Sequence, residues 1–354
     1  MKRSTVLMAA LSGLGALVAA CGDDGGETAA DAAVSVVDAA APDAMVDAGP
    51  APDANIYPAS LRDTGLYSDF DGRVVASDVF EYEVNYPLWS DGALKRRWVH
   101  LPAGTQIDTT DMDFWVYPEG TKLWKEFRDD TLLLETRLLW KKGPSVDDWV
   151  YVSYGWNMDQ TDAIEMPDGA TDVLGTNFDI PDQRNCSKCH QRTPDFVLGF
   201  AAIQLAHAQA GANLASLVTD SLLTSNPEGV APYFTVPGDT EEEAVLGYFH
   251  GNCGGCHNPH SDVMDTTALN MRLEVATLGT VAETTSYSTI VGVPPMLALS
   301  GATSLVEQGD PNASAVFLRM NMRATPLQMP PRGTELLDDD FMTILSDWIT
   351  GLTP

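Results

Sequence analysis

The pattern Cys-x-x-Cys-His occurs twice in this chain, within "QRNCSKCHQR" and "FHGNCGGCHNPH". It groups Cys186 and Cys189 with His190, and Cys253 and Cys256 with His257. Two thiols and an imidazole within five residues admit three chemistries. A redox dithiol needs no following histidine and usually opens a helix in a β-α-β pattern, which neither flank shows. A zinc site needs four ligands, so the pairs would have to join and leave both histidines idle. Covalent haem attachment uses every residue. The two thiols add to the vinyl groups of one haem, and the adjacent histidine is the proximal iron ligand. Two haem c groups are therefore expected, with His190 and His257 on iron. The chain has five cysteines, and only Cys21 lies outside the motifs.

Haem attachment of this kind takes place outside the bacterial cytoplasm, and the N-terminus agrees. "MKRSTVLMAALSGLGALVAAC" has two basic residues, an apolar run of about a dozen residues and then small residues, the pattern of an export signal over residues 1–20. Val18-Ala19-Ala20-Cys21 resembles the lipobox of bacterial lipoproteins, which implies a lipid on Cys21. Residues 21–55 carry eight acidic and no basic or aromatic side chains, and are expected to be a disordered Ala/Asp/Pro tether. A formal charge of −30 over 354 residues argues against nucleic-acid partners. The expected location is the periplasmic or cell-surface side of a membrane, reached through the N-terminal lipid.

Residues 56–185 read as a β-rich domain. "RVVASDVFEYEVNYPLW", "RRWVHLP", "DFWVYP", "TKLWKEF", "LLLETRLLW" and "DWVYVSYGW" are rich in Val, Tyr, Phe and Trp, with Gly/Pro/Asp turns between them. Short strands at this spacing suggest an antiparallel sandwich or barrel. Basic residues gather here: Lys95, Arg96, Arg97, Lys122, Lys125, Arg128, Arg137, Lys141 and Lys142. A docking face is one reading of them; solvated strand faces are the preferred one. Residues 186–239 hold the first motif and a helical connector. Its apolar spacing after His190 predicts one long helix carrying His207, a candidate for the far side of the first iron, with Met158 and Met166 as rivals.

The C-terminal part, residues 240–354, opens with Thr240 and Glu243 as a capping box for a helix into the second motif. It ends in a helix after Asp338, Asp339 and Asp340, with an apolar face of Phe341, Ile344, Leu345, Trp348 and Ile349. Between them stands "LQMPPRG". Helix, motif, "MPP" and closing amphipathic helix resemble a class I cytochrome c domain. The resemblance implies crossed terminal helices and Met329 on iron opposite His257, with Met320 and Met322 as rivals. His250 is read as a helix residue and His260 as exposed. "QGDPNASAVFLRM" is similar to an element that precedes the ligand loop in several bacterial cytochromes. The middle section, residues 261–307, is longer than in a minimal cytochrome c.

"YPLWSDGALKRRWVHLP", "YPEGTKLWKEF" and "YFHGNCGGCHNP" together resemble a group of exported bacterial dihaem cytochromes with a β-rich N-terminal half. The expected fold is thus α+β and multidomain: a β-rich domain followed by an all-α cytochrome c domain. The expected function is single-electron transfer between redox partner proteins. The alternative is a dihaem peroxidase-like enzyme with one open iron. Those enzymes usually hold their motifs much farther apart than the roughly 60 residues found here. A third reading makes the β-rich half a binding module with the cytochrome as its electron outlet. The β region shows no catalytic signature.

Overall fold

The computed structural model describes residues 57–353. The leader, Cys21 and the tether lie outside the described residues. The described chain is α+β. Its centre is a six-stranded antiparallel meander of β3 (Phe80–Glu81), β4 (Leu94–His100), β5 (Lys122–Arg128), β6 (Leu133–Lys141), β7 (Trp149–Trp156) and β8 (Ala163–Glu165), paired in that order. A separate ribbon joins β1 (Tyr67–Asp69) to β2 (Val74–Val75). The sheet is one open meander, where a sandwich or barrel was expected. Alternating sequence patterns fix which side chains share a face, but not whether the outer strands meet. "DFWVYP" contributes only an isolated bridge, Asp108 to Val116.

Period-2 alternation sorts the long strands into two covered faces. Trp98, Trp124, Leu138, Val150, Val152, Tyr154 and Trp156 pack on the N-terminal segment through Tyr57, Leu61, Leu66 and Phe70. Val99, Leu123 and Trp149 pack on the other side against Phe200, Leu205, Leu214 and Leu217. These last residues follow the first Cys-x-x-Cys-His, so that motif is tied to the second face. The chain there forms α1 (Ser187–His190), α2 (Ala202–Leu205) and α3 (Leu214–Thr219). The single long helix expected after His190 is thus two short ones. Gly211 (φ +92°) turns the chain between them, where a side chain would strike the Glu81 carbonyl, and Asn213 caps the restart.

The C-terminal part is helical. Helix α4 (Thr240–Tyr248) continues through a π-turn, Phe249–Cys253, into the second motif. Its N-cap is Asp239, which accepts from the Glu241 and Glu242 amides while Glu242 returns a bond to the Asp239 amide. The capping box therefore lies one residue before the expected Thr240–Glu243 pair. Helices α5 (Thr285–Ile290) and α6 (Ala315–Met320) lead to α7 (Asp339–Gly351). Helix α7 packs on the motif helix: Phe341 stacks on Tyr248 at 3.4 Å between centroids, and Trp348 meets Phe249 edge-on at 6.3 Å. Phe341, Leu345, Trp348 and Ile349 are buried in this joint. Burying a large apolar side chain fully is worth roughly 1.5–3 kcal/mol, so this face sets the crossing of α4 and α7. No helix among the described residues is long and apolar enough to cross a membrane.

A strap from the β-rich half closes over the helical part. Gly247 and Gly251 leave room on α4 and the π-turn for Tyr86, whose ring and carbonyl lie where their Cβ atoms would be. The Trp89 amide donates to Asn252 Oδ1 at 2.6 Å. Trp89 Nε1 donates to the Leu336 carbonyl at 3.2 Å, and Asp91 accepts from the Glu335 and Leu336 amides.

Candidate functional site

Both motifs fold into the same turn. The Cys186 carbonyl accepts from the amides of Cys189 (3.2 Å) and His190 (3.0 Å). The Cys253 carbonyl accepts from Cys256 (3.0 Å) and His257 (2.8 Å). Each turn gathers two thiols and an imidazole on one short arc, and all four thiols are free. Among the described residues, no three His, Cys, Asp or Glu side chains gather as a site for a bare metal ion.

The two turns, distant in sequence, are neighbours in space. The Cys189 and Cys256 thiols influence each other's ionisation. Arg192 pairs with Asp262 at 3.1 Å, and Leu198 lies over Gly255. Cys189, helped by Arg192, holds the Cys256 thiol below its usual value. Burial raises Cys186 to about 11 and Cys253 to about 12.

Both histidines are held neutral. His190 Nδ1 lies 2.7 Å from the Phe196 carbonyl, which can only accept, so Nδ1 carries the proton and Nε2 keeps its lone pair. Burial, with Arg137 and Lys125 adding to it, lowers this imidazole to about 4. The Tyr151 ring lies 5.1 Å from it. His257 is buried, and its Nδ1 has no hydrogen-bond partner. Burial first, then the charges of Arg319 and Arg192, lowers it to about 4. A neutral imidazole is the form that binds iron. Four free thiols, two neutral histidines and one orphaned ring nitrogen are a donor set that fits two covalent haems.

The other candidates fare differently. His207 is used up by the fold: its Nδ1 accepts from the Gln209 amide at 3.2 Å, so Nε2–H donates to the Glu83 carbonyl at 3.0 Å. No lone pair of His207 is left for iron in this arrangement. Met166 packs over Gly155 of β7, and Met158 is 61% exposed. Met329 and Cys253 rest on the same apolar cluster, in which Met320 is buried. The Met329 amide donates to the carbonyl of Arg319, the residue whose charge reaches His257. His250 Nδ1 accepts from the Leu273 amide at 3.1 Å, and His260 stacks edge-on with Phe114.

The sequence reading missed several residues that build the site. Asp195 is buried and accepts from Lys141 Nζ (2.7 Å), Trp149 Nε1 (3.0 Å) and the Tyr117 amide (2.6 Å). It pins the segment whose Phe196 carbonyl orients His190. Asn258, fully buried, donates to the Gly254 and Gly255 carbonyls and braces the second turn. Lys141 is 2% exposed and Arg97 6%, so the basic residues are not all solvated as expected. The signal was there: Lys95, Arg97 and Lys125 share the inward alternation of Val99 and Leu123.

No protein-family model, curated protein or solved structure matches this chain.

Proposed function

We propose that this chain is a lipid-anchored dihaem c-type cytochrome that carries single electrons between redox partner proteins outside the cytoplasm. The observation that carries the reading is the pair of identical Cys-x-x-Cys-His turns, side by side, each with a neutral histidine. Cys186 and Cys189 would hold one haem, and Cys253 and Cys256 the other. In each linkage a thiol adds across a vinyl group: sulfur bonds to one carbon and the proton goes to the other. His190 and His257 would be the proximal ligands. Haem c would supply a one-electron Fe(III)/Fe(II) couple at each motif. The Phe196 carbonyl fixes the His190 tautomer, and Asp195 fixes Phe196.

Residues 240–354 are proposed to be a class I cytochrome c domain, supported by the crossing of α4 and α7 and by Met329 on the cluster that includes Cys253. Close approach of the turns favours electron exchange between the two groups, which suits a carrier. Lipid at Cys21 would keep the body near a membrane. The test is an absorption spectrum of mature protein made beside haem-attachment machinery. Two covalent haems per chain that survive denaturing gels, and no cyanide binding, are expected. Zinc without haem would refute the reading, and rapid peroxide turnover would replace the carrier with a peroxidase.

A further inference from the structure

One row of side chains crosses four strands on the sheet face that carries the first motif. Arg97 of β4 pairs in register with Lys125 of β5, Lys125 with Arg137 of β6, and Arg137 with Ser153 of β7. Lys95 and Glu135 occupy the next row, and Tyr151 the row on the other side. The row is next to the motif: the charges of Arg137 and Lys125 reach His190, and Arg137 and Glu135 reach Cys186.

The carboxylates present do not balance these cations. Arg137 is matched by Glu135, fully buried, through two bonds of 2.8 and 2.9 Å. Arg97 has only Glu83 at 3.7 Å, and Glu83 is 43% exposed. Lys95 Nζ donates to the nearby Ala93 carbonyl, with the charges of Asp91 and Asp338 acting on it from farther away. Lys125 Nζ has no hydrogen-bond or ion-pair partner among the described residues; it lies 5.1 Å from the centre of the Phe127 ring. Four cations thus meet two carboxylates within ion-pair distance, with Asp91 and Asp338 farther away. Two donors beside them are also stranded: Ser153 Oγ, on a residue 2% exposed, and Tyr151 Oη are buried without a partner. A half-buried lysine without a partner and buried unpaired hydroxyls are costly. Several around one spot point to an anion that completes them.

We propose that this row is the seat of the two propionate carboxylates of the haem at Cys186–His190. Lys125 and Arg97 supply the charge, and Ser153 and Tyr151 the neutral donors. The chemistry is that of a pair of carboxylates on one rigid body, set against Lys125, which has no partner among the described residues, and Arg97, whose carboxylate lies 3.7 Å away and is half exposed. Arg137, already held by Glu135, would add its charge beside Cys186 and His190. Both stranded hydroxyls lie on β7, on the strand that also brings Tyr151 against His190. One face of the sheet would thereby serve both the histidine and the anionic end of the same group. The inference rests on the haem reading, and the experiment keeps the two apart.

The variants are Lys125→Met, Lys125→Arg and the pair Tyr151→Phe with Ser153→Ala. Haem is counted as the pyridine haemochrome. The first haem's midpoint is taken from spectroelectrochemical titration, as the component that persists in Cys253→Ala, Cys256→Ala protein. Propionate bands are followed in redox-difference infrared spectra of protein carrying ¹³C-carboxyl haem. Removing a cation favours Fe(III), so Lys125→Met is expected to lower the reduction equilibrium of that haem about tenfold, which is about 59 mV for one electron. It should also shift the labelled bands. Lys125→Arg should restore both, and the hydroxyl pair should shift the bands with a smaller change in midpoint. A wild type without covalent haem overturns both readings. Two haems present, with midpoint and labelled bands unchanged in Lys125→Met and in the hydroxyl pair, overturn this one alone. So does a wild-type midpoint that moves on adding succinate while Lys125→Met stays still, since the row would then take a free dicarboxylate.

Discussion

Asp195→Ala tests the part of the fold that orients the first histidine. The carboxylate and Lys141 form an ion pair in which both side chains are 2% exposed. Deleting it leaves Lys141 Nζ with the Tyr117 carbonyl at 2.9 Å as its one oxygen acceptor, and strands Trp149 Nε1 and the Tyr117 amide. Breaking a buried pair from one side costs about 3–5 kcal/mol, because the surviving charge stays buried. The two stranded donors push the loss toward the upper end, each being worth about 1–3 kcal/mol when unsatisfied. Against a typical total of about 5–15 kcal/mol, this is a large fraction. Lys141→Met with Asp195→Leu removes both charges and should recover about 2–3 kcal/mol relative to Asp195→Ala. The assay is urea unfolding followed by fluorescence, comparing variants of equal haem content. A loss below about 1 kcal/mol for Asp195→Ala, or a double variant no more stable than the single, would refute the argument that a stranded lysine dominates.

Four further outcomes are expected. Met329→Ala should leave both haems attached, since the thioether bonds use Cys253 and Cys256, but should lower the second haem's potential and admit cyanide, read by titration and absorption; an unchanged spectrum would move the assignment to another methionine. Gly247→Ala and Gly251→Ala should each destabilise by about 1–3 kcal/mol through overpacking on Tyr86; Tyr86→Leu should rescue the first, which meets the ring, and not the second, which meets the backbone carbonyl, in thermal melts. Burial raises Asp113 to about 6, so the folded state holds its proton more tightly than the unfolded chain; stability contributed by this group falls as pH rises from about 4 to about 6, and Asp113→Asn should remove that slope from urea midpoints. Cys21→Ser should move the mature protein from the membrane fraction to the soluble one with its haem content unchanged.

The turns of the candidate site were legible because they are local. Cys-x-x-Cys-His is a single turn, and the turn formed at both places. The face of α7 was legible too, since Phe341, Leu345, Trp348 and Ile349 follow helical spacing and lie in the joint with α4. What local patterns do not encode is which turns meet. The approach of Cys189 to Cys256 depends on Arg192 reaching Asp262 and Leu198 covering Gly255, contacts between distant parts of the chain. The His207 helix failed for a related reason: its apolar residues serve the sheet face, and the chain breaks at Gly211 to reach β3. Lys125 is half-buried, and only the register shows which charges it stands beside.

The strap at residues 86–91 bears on how such a chain matures. Asn252, one residue before the second motif, is held by an amide 163 positions earlier, and the Leu336 amide by a carboxylate 245 positions earlier. As the chain is made, the N-terminal half emerges first and cannot be closed by partners that have not yet appeared. The strap therefore seats in full only when the segment up to Leu336 has emerged. Once the strap is seated, α4, the segment from Met329 to Leu336 and the β-rich half share one thermal fate. Heat that lifts Trp89 and Asp91 uncovers all three together, so the C-terminal third cut free of the rest would lose the lid over its own motif.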